Sequence, residues 1–594
     1  MSAPSQPNPE APRPDASPVP KLLRRMVAIY PLLLVLCGIG YAKYSSYQVD
    51  GDAVSFMDIS DALRAHHFAL AVNGYWNPGY AAALALVSAL THPSLWNELQ
   101  TFFWVNFWIF LGCIVACLYL VRGMVRVRER FAAGEELANP PALSPNALAL
   151  ASLALLFFSF QRELNLGAVR ADALLLFFFL LAGGILLRLQ STGRLLYYPL
   201  LGLVLGLAYL TKSFAFLPSA ALLAGIFIFG LRRPAGARRA IVTGALLAGL
   251  TFAAIAGPYV VAISRQVGRP TTGESARLNY AFFIDQMDRW HEWHSGKMGH
   301  ATAHFLHHER LLLDSPPVYS YDQHPIGSYP LWFDPSYWTN TIQPHVWPQG
   351  QLVRLARCAA LLLRYALGHL EAPVLLGVLL LLGCSFGRAR STWLYLLPVS
   401  LWGLLMIGIY FPVDIQDRYM TGAWLLFFLP LLAMLRRPRG SSGHAAGAVA
   451  VLLAALAVAD ATGDIADRRR MLSVTGHPRG AYSTEIYPAA HAIDDLGLPP
   501  GSAVACFGDR ACYLDQYWAR LAQTPIRAEI EVPDHSDPGV FWSSLADPSA
   551  VTAALRADHI AAIVSSFAPS AHVPAGWQQL GTSDYYIYPL HPAN

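Results

Sequence analysis

The sequence predicts an α-helical membrane protein of many spans, followed by a small soluble α/β domain at its C-terminal end. Three observations carry that reading. The 594 residues are 55% hydrophobic and only 13% charged, with a mean hydropathy of +0.38, more apolar surface than one soluble core can bury. The apolar residues gather in runs of roughly 20, the length that crosses a bilayer as a helix. After about residue 464 the pattern changes to Pro-rich turns with short strand-like and helix-like runs.

Residues 1–22 are rich in Pro, Ser and Ala and hold no apolar run, as expected of a disordered cytoplasmic tail rather than a signal peptide, so the first span is an uncleaved anchor. About eleven apolar segments follow within 23–463, near 26–46, 101–121, 145–161, 169–188, 197–212, 214–231, 240–263, 371–387, 391–411, 418–435 and 444–461. Lys and Arg favour cytoplasmic loops. Arg24 and Arg25, the arginines from Arg122 to Arg130, Arg188 with Arg194, Arg232 to Arg239, Arg388 with Arg390, and Arg436 to Arg439 fall at alternate ends of these segments. With an odd number of spans, every cluster is cytoplasmic. An inner-membrane protein then exposes 47–100, 161–168, the large loop 264–371, 412–417 and the tail 464–594 on the outer side. A net charge of +4, spread over these clusters, gives no basic face for nucleic acid.

Two outer stretches read as interfacial. Residues 81–90 are too short to cross, and 352–367 set Arg354, Arg357 and Arg364 among leucines, as in a helix lying at the headgroups. Read instead as a span with snorkelling arginines, the second stretch inverts everything after it. In the tail, 502–506, 560–564 and 585–588 read as strands and 550–557 as a helix. Of the seven cysteines, Cys37, Cys113, Cys117 and Cys384 sit in apolar runs as small hydrophobes. Cys506 and Cys512, with Gly508 between them to permit a tight turn, invite a disulfide, the alternative being two unpaired thiols. No internal repeat points to an inverted-repeat transporter.

The charges at span ends carry the chemistry. Asp50 and Asp52 follow the first span, either as a catalytic base or as solvated loop aspartates capping the next helix. Asp172 opens the fourth segment in the string Gly167 to Asp172, where an Arg170–Asp172 pair is the structural alternative. Lys212 lies between two apolar runs, and an ammonium in a lipid setting wants an anion such as phosphate, unless it snorkels. Arg418 offers a planar set of donors for phosphate oxygens, or a salt bridge to Asp414 or Asp417.

Taken in order, these strings resemble the GT-C superfamily of membrane glycosyltransferases, relatives of lipid A aminoarabinose transferases and protein mannosyltransferases. The resemblance rests on DGDAVSF from Asp50 to Phe56, the spacing of Asp52, Phe56, Ile59 and Ser60, NGYWNPGY from Asn73 to Tyr80, AYLTKS from Ala208 to Ser213, and the Arg418–Tyr419 pair. It covers 27–430, and departs from the family pattern at Gly79 and Ala81, where Leu and a second Pro are usual, which bears on where the local helix starts. It implies a GT-C fold and an inverting transfer of a sugar from a polyprenyl-phosphate donor. On that likeness Asp52 is the base and Asp50 the runner-up, Asp172 contacts acceptor or a divalent metal, and Lys212 with Arg418 holds the donor phosphate. Acceptor (lipid, glycan or protein) and sugar stay open.

The large loop is rich in rings. Tyr75, Trp76, Trp332 and Tyr419 are candidate sugar-contacting residues, although Trp and Tyr also anchor membrane interfaces. His324, followed by Pro325, is a candidate lip residue. A helix over 299–313 would put His300, His304, His307 and His308 on one face at metal-ligand spacing, whereas loop histidines are common and no HExxH string is present. The competing class is a non-enzymatic lipid or solute transporter, whose ionisable groups belong near mid-bilayer. A scaffold using the tail as a binding module explains the tail and not the charges at Asp52, Asp172, Lys212 and Arg418.

Overall fold

Apolar runs in a bilayer must satisfy their backbone groups internally, so they fold as helices. The computed structural model describes residues 18–45, 49–131, 139–288, 298–302, 307, 309–321, 327–387, 390–475, 485–533, 536–568 and 573–590. In chain order the principal helices are α1 (Pro18–Tyr44), α2 (Gly51–Arg64), α3 (Pro78–Thr91), α4 (Glu98–Phe131), α5 (Pro145–Ser159), α6 (Asp172–Thr192), α7 (Tyr197–Thr211) and α8 (Phe216–Leu231). They continue with α9 (Ala235–Val267), α10 (Ser275–Phe283), α11 (Pro348–Gly368), α12 (Glu371–Leu381), α13 (Arg390–Tyr410), α14 (Asp417–Met434) and α15 (His444–Thr475). The first helix begins at Pro18, ahead of the expected boundary at 23.

Each expected span contains a helix, although 371–387 is helical only to Leu381, and among the described residues eight helices qualify by length and composition: α1, α4, α5 with its extension to Leu164, α6, α8, α9, α13 and α15. The others fall short for readable reasons. Helix α7 has 15 residues, α12 has 11, and α14 opens with Asp417 and Arg418. Helices α11 and α12 meet at a 66° bend and together would make a ninth span. Helix α11 buries only a stripe containing Arg354, Cys358 and Tyr365, and exposes Leu352, Val353, Leu363 and Leu367, as an interfacial helix does.

The helices run antiparallel, so charges sort to two ends. At one end Arg128 of α4 donates to the Leu143 carbonyl at 2.9 Å, Arg130 donates to the Ser191 carbonyl in the last turn of α6, and the N–H of Arg437 after α14 donates to the Pro140 carbonyl at 2.9 Å. The opposite ends of the same helices carry Glu98, Asp172 and Arg418.

A seven-stranded sheet lies against that second end. The large loop supplies β1 (Arg310–Asp314) and β2 (Pro317–Ser320), while β3 (Ser385–Phe386) and β4 (Leu435–Arg436) form a separate pair at the arginine-rich end. The tail supplies β5 (Val504–Phe507), β6 (Ile526–Ile530), β7 (Ala562–Ser566), β8 (Gln578–Gln579) and β9 (Tyr585–Pro589), and the order is β1-β2-β6-β5-β7-β9-β8 with β5 parallel to β6 and β7. Two expectations need correction. The α/β unit is not 464–594 alone, because β2 pairs with β6 and brings the loop into the sheet. Residue 464 also falls inside α15, which continues to Thr475 because Arg468 pairs with Asp464 at 2.9 Å and lies over the Tyr41 ring of α1. Cys506 and Cys512 are joined as a disulfide.

The soluble layer is fastened by one buried arginine. Arg520, on the short helix Tyr517–Leu521, reaches Asp58 at 2.7 Å, Asp61 at 2.8 Å and both oxygens of Glu98 at 2.8 Å. Asp58 also accepts the N–H of Ser328 at 2.6 Å, so α2, α4, the large loop and the tail share one cluster. Removing one side of a buried ion pair costs about 3 to 5 kcal/mol. Arg520→Ala should therefore lower the thermal midpoint in detergent and speed proteolysis of the tail, whereas Asp61→Asn, at a half-exposed partner, should do little. An Arg520→Ala protein as stable and protease-resistant as wild type would show that the cluster does not hold the layer.

Candidate functional site

The site begins where the chain enters α2. Asp50 is the N-cap: its carboxylate accepts the N–H of Ala53 at 3.0 Å, and its other oxygen receives Arg170 at 2.6 Å. Asp52, in the first turn, instead receives Arg418 Nη2 at 3.1 Å and is 16% exposed. Burial and the neighbouring Asp50 charge push its carboxyl above the usual range, against the pull of Arg418 and Arg170. Gly51 between them is needed for close approach, since a Cβ there would lie 2.3 Å from the Trp332 ring and 2.6 Å from Gln516 Nε2. Loop and tail thus close over the turn that carries Asp52.

The string from Asn73 to Tyr80 is a positioning device. Asn73 Oδ1 accepts the N–H groups of Tyr75 and Trp76, both at 2.9 Å, a side-chain turn that orients the two rings. The Tyr75 hydroxyl donates to Asn279 of α10 at 3.1 Å, and Trp76 Nε1 donates to the Trp332 carbonyl at 3.2 Å. Helix α3 starts normally at Pro78. The departure at Gly79 has a reason: a Cβ there would lie 2.6 Å from the Leu210 carbonyl, so glycine lets α3 abut the end of α7 beside Lys212.

Three helix ends supply the other charges. Asp172 opens α6, Lys212 caps α7, and Arg418 is the second residue of α14. Lys212 Nζ lies 2.7 Å from Asp172, and Arg418 Nη1 lies 4.0 Å from the other Asp172 oxygen. The ammonium also sits 3.9 Å above the Tyr419 ring, which stacks on Tyr410, which stacks on Phe214. These groups enclose a cavity of about 610 Å³, walled by Asp52, Tyr75, Trp76 and Trp332 on one side and by Asp172, Lys212, Arg418 and Tyr419 on the other. Phe214, Phe216, Leu217, Phe282 and Ile409 make the rest of its wall largely apolar.

The sequence reading brings together the right ends but not the right pairs. Arg170 pairs with Asp50 rather than Asp172, and Arg418 with Asp52 rather than Asp414 or Asp417. Asp414 is held by Arg354 of α11. Asn279, Tyr410 and Gln416 also line the cavity and were not singled out, and only the mixed polar and aromatic pattern of α10 hints at the first. Asp50 is not among the lining residues.

The histidine-rich stretch gives no ligand set among the described residues. His300 stacks on Trp347 and His307 on Tyr337, while 310–314 is strand, so a helix over 299–313 does not form; His304, His308 and His324 lie outside the described residues. The one described group of three ligand-bearing side chains close enough for an ion is Cys506, Cys512 and Glu529, whose sulfurs form the disulfide. Asp52 and Asp172 are each paired with a cation, Arg418 and Lys212 respectively.

No protein-family model matches the chain, and no curated protein is similar to it in sequence. Among solved structures it is similar to crystal structures of ArnT from Cupriavidus metallidurans, one bound to undecaprenyl phosphate and one in the apo state. Each is 12% identical in sequence, with 96% of this chain and 98% of that chain covered and TM-scores of 0.39 and 0.38.

Proposed function

We propose that the protein is an integral membrane glycosyltransferase of the GT-C type, moving a sugar from a polyprenyl-phosphate donor to an extracytoplasmic acceptor with inversion. One observation carries the reading. Four charges chosen from separate strings of the sequence, Asp52, Asp172, Lys212 and Arg418, meet at one cavity with an aromatic and apolar wall. All four sit at helix ends rather than mid-helix, which fits surface chemistry better than passage of a solute through the bilayer.

In this reading Asp52 accepts the proton of the acceptor hydroxyl as the oxygen attacks the anomeric carbon on the face opposite the phosphate. Lys212 and Arg418 take up the charge that develops on the departing polyprenyl phosphate. Asp172 holds Lys212 in place, and Tyr75, Trp76 and Trp332 offer ring faces and edges to the sugar. Asp50, as helix cap and partner of Arg170, orients the turn. The arginine-rich helix ends mark the cytoplasmic side, so cavity and tail face outward from the cell inner membrane.

Two outcomes test this. In membrane vesicles supplied with radiolabelled polyprenyl-phosphate sugars, Asp52→Asn should cut release of polyprenyl phosphate about 100- to 10,000-fold with the protein still folded, and the acid limb of the wild-type profile should lie above the ordinary carboxylate range. Asp50→Asn should act mainly on stability; an inactive Asp50→Asn beside an active Asp52→Asn would move the base to Asp50, and two active variants would end the mechanism. For topology, protease added to intact spheroplasts should cut the tail, and thiol reagents applied without reductant should miss Cys506 and Cys512. Protection of the tail would place the cavity on the other side.

A further inference from the structure

Arg418 is engaged before any donor arrives. Its Nη2 lies 3.1 Å from Asp52, its Nη1 lies 4.0 Å from Asp172, and its Nε donates to Gln416 at 3.2 Å. Lys212, by contrast, stays with Asp172 at 2.7 Å and above the Tyr419 ring. The groups that act on Asp52 are Arg418 from α14, Asp50 from its own cap, Arg170 from the turn before α6 and Tyr75 from the Asn73 turn, while Asp172 and Tyr419 line the same cavity. Arg418 is thus bound, through one hydrogen bond, to the carboxylate that must act as base.

Two general facts make this arrangement consequential. A carboxylate with a guanidinium against it is a poor proton acceptor, because the cation stabilises the ionised form. A phosphate offers the planar guanidinium a bidentate set of oxygens, whereas Asp52 takes a single bond. We infer that the phosphate of the donor lipid takes Arg418 from Asp52, so that the base is released only in a cavity that already holds its donor. The exchange rests on the function proposed above, with Asp52 as base and Arg418 as phosphate ligand. The number of cations at the site stays the same while the donor phosphate brings in one negative charge, so Asp52 is left without its guanidinium partner and its affinity for a proton rises.

A double-mutant cycle on lipid affinity reads the exchange directly. Full-length protein in nanodiscs is titrated with undecaprenyl phosphate as wild type, Asp52→Asn, Arg418→Gln and the double variant. Asp52→Asn should bind the lipid about tenfold more tightly than wild type, since Asp52 no longer competes for Arg418, although it turns donor over far more slowly. Arg418→Gln should bind more weakly, and adding Asp52→Asn to it should bring no gain. An equal gain in both backgrounds would mean simple repulsion between Asp52 and phosphate, and no gain in either would mean no competition; each overturns the exchange. If Arg418→Gln fails to fold, Arg418→Lys keeps a charge without the fork and should reduce the gain, while an undiminished gain counts against the exchange. Failure of wild type and every variant to bind the lipid removes the proposed function itself, and the exchange with it.

Discussion

A charge at the boundary between lipid and protein must be answered by an opposite charge, and that requirement organises this molecule. Around the cavity Asp50 answers Arg170, Asp172 answers Lys212 and Asp52 answers Arg418. Each pair joins different elements, so the same contacts that neutralise the charges also fix the ends of α2, α6, α7 and α14 relative to one another. Structure and chemistry draw on the same groups: the cations proposed to meet a phosphate are held in reserve by the carboxylates that shape the site.

The soluble layer extends this logic. Its buried Arg520 takes Asp58 and Glu98 out of circulation on the face of α2 and α4 away from the cavity, leaving Asp52 as the carboxylate of α2 that lines it. Trp332 from the large loop and Gln516 from the tail meet over Gly51, one residue before Asp52. The joining of β2 to β6 makes loop and tail one sheet, so the cover over the base is built from both.

The membrane part was legible because hydropathy is a local property: each span is written in its own run of residues. The charges at span ends were legible for the same reason, as breaks in those runs. Their pairing was not, because the partners are 120, 40 and 366 residues apart for Asp50–Arg170, Asp172–Lys212 and Asp52–Arg418. Nearest-in-sequence partners such as Asp414 were the obvious choices, and Arg354 had already taken that one. Strands β1 and β2 were hidden by their brevity: they pair with each other and join a larger sheet only when the chain reaches β6. The end of α15 was misplaced because Asp464 and Arg468 look like a loop by composition, although a single helical turn brings them together against α1.

The central claim is that the cavity seats a polyprenyl phosphate between Lys212 and Arg418, with Asp52 beside it. A cryo-electron microscopy structure of the full chain in nanodiscs with undecaprenyl phosphate measures this most directly. The account predicts phosphate density within hydrogen-bond reach of Lys212 Nζ and the Arg418 guanidinium, an isoprenoid tail along Phe214, Phe216 and Leu217, and Asp52 no longer paired with Arg418. Lipid phosphate bound elsewhere, with the Asp52–Arg418 and Asp172–Lys212 pairs intact, would contradict it.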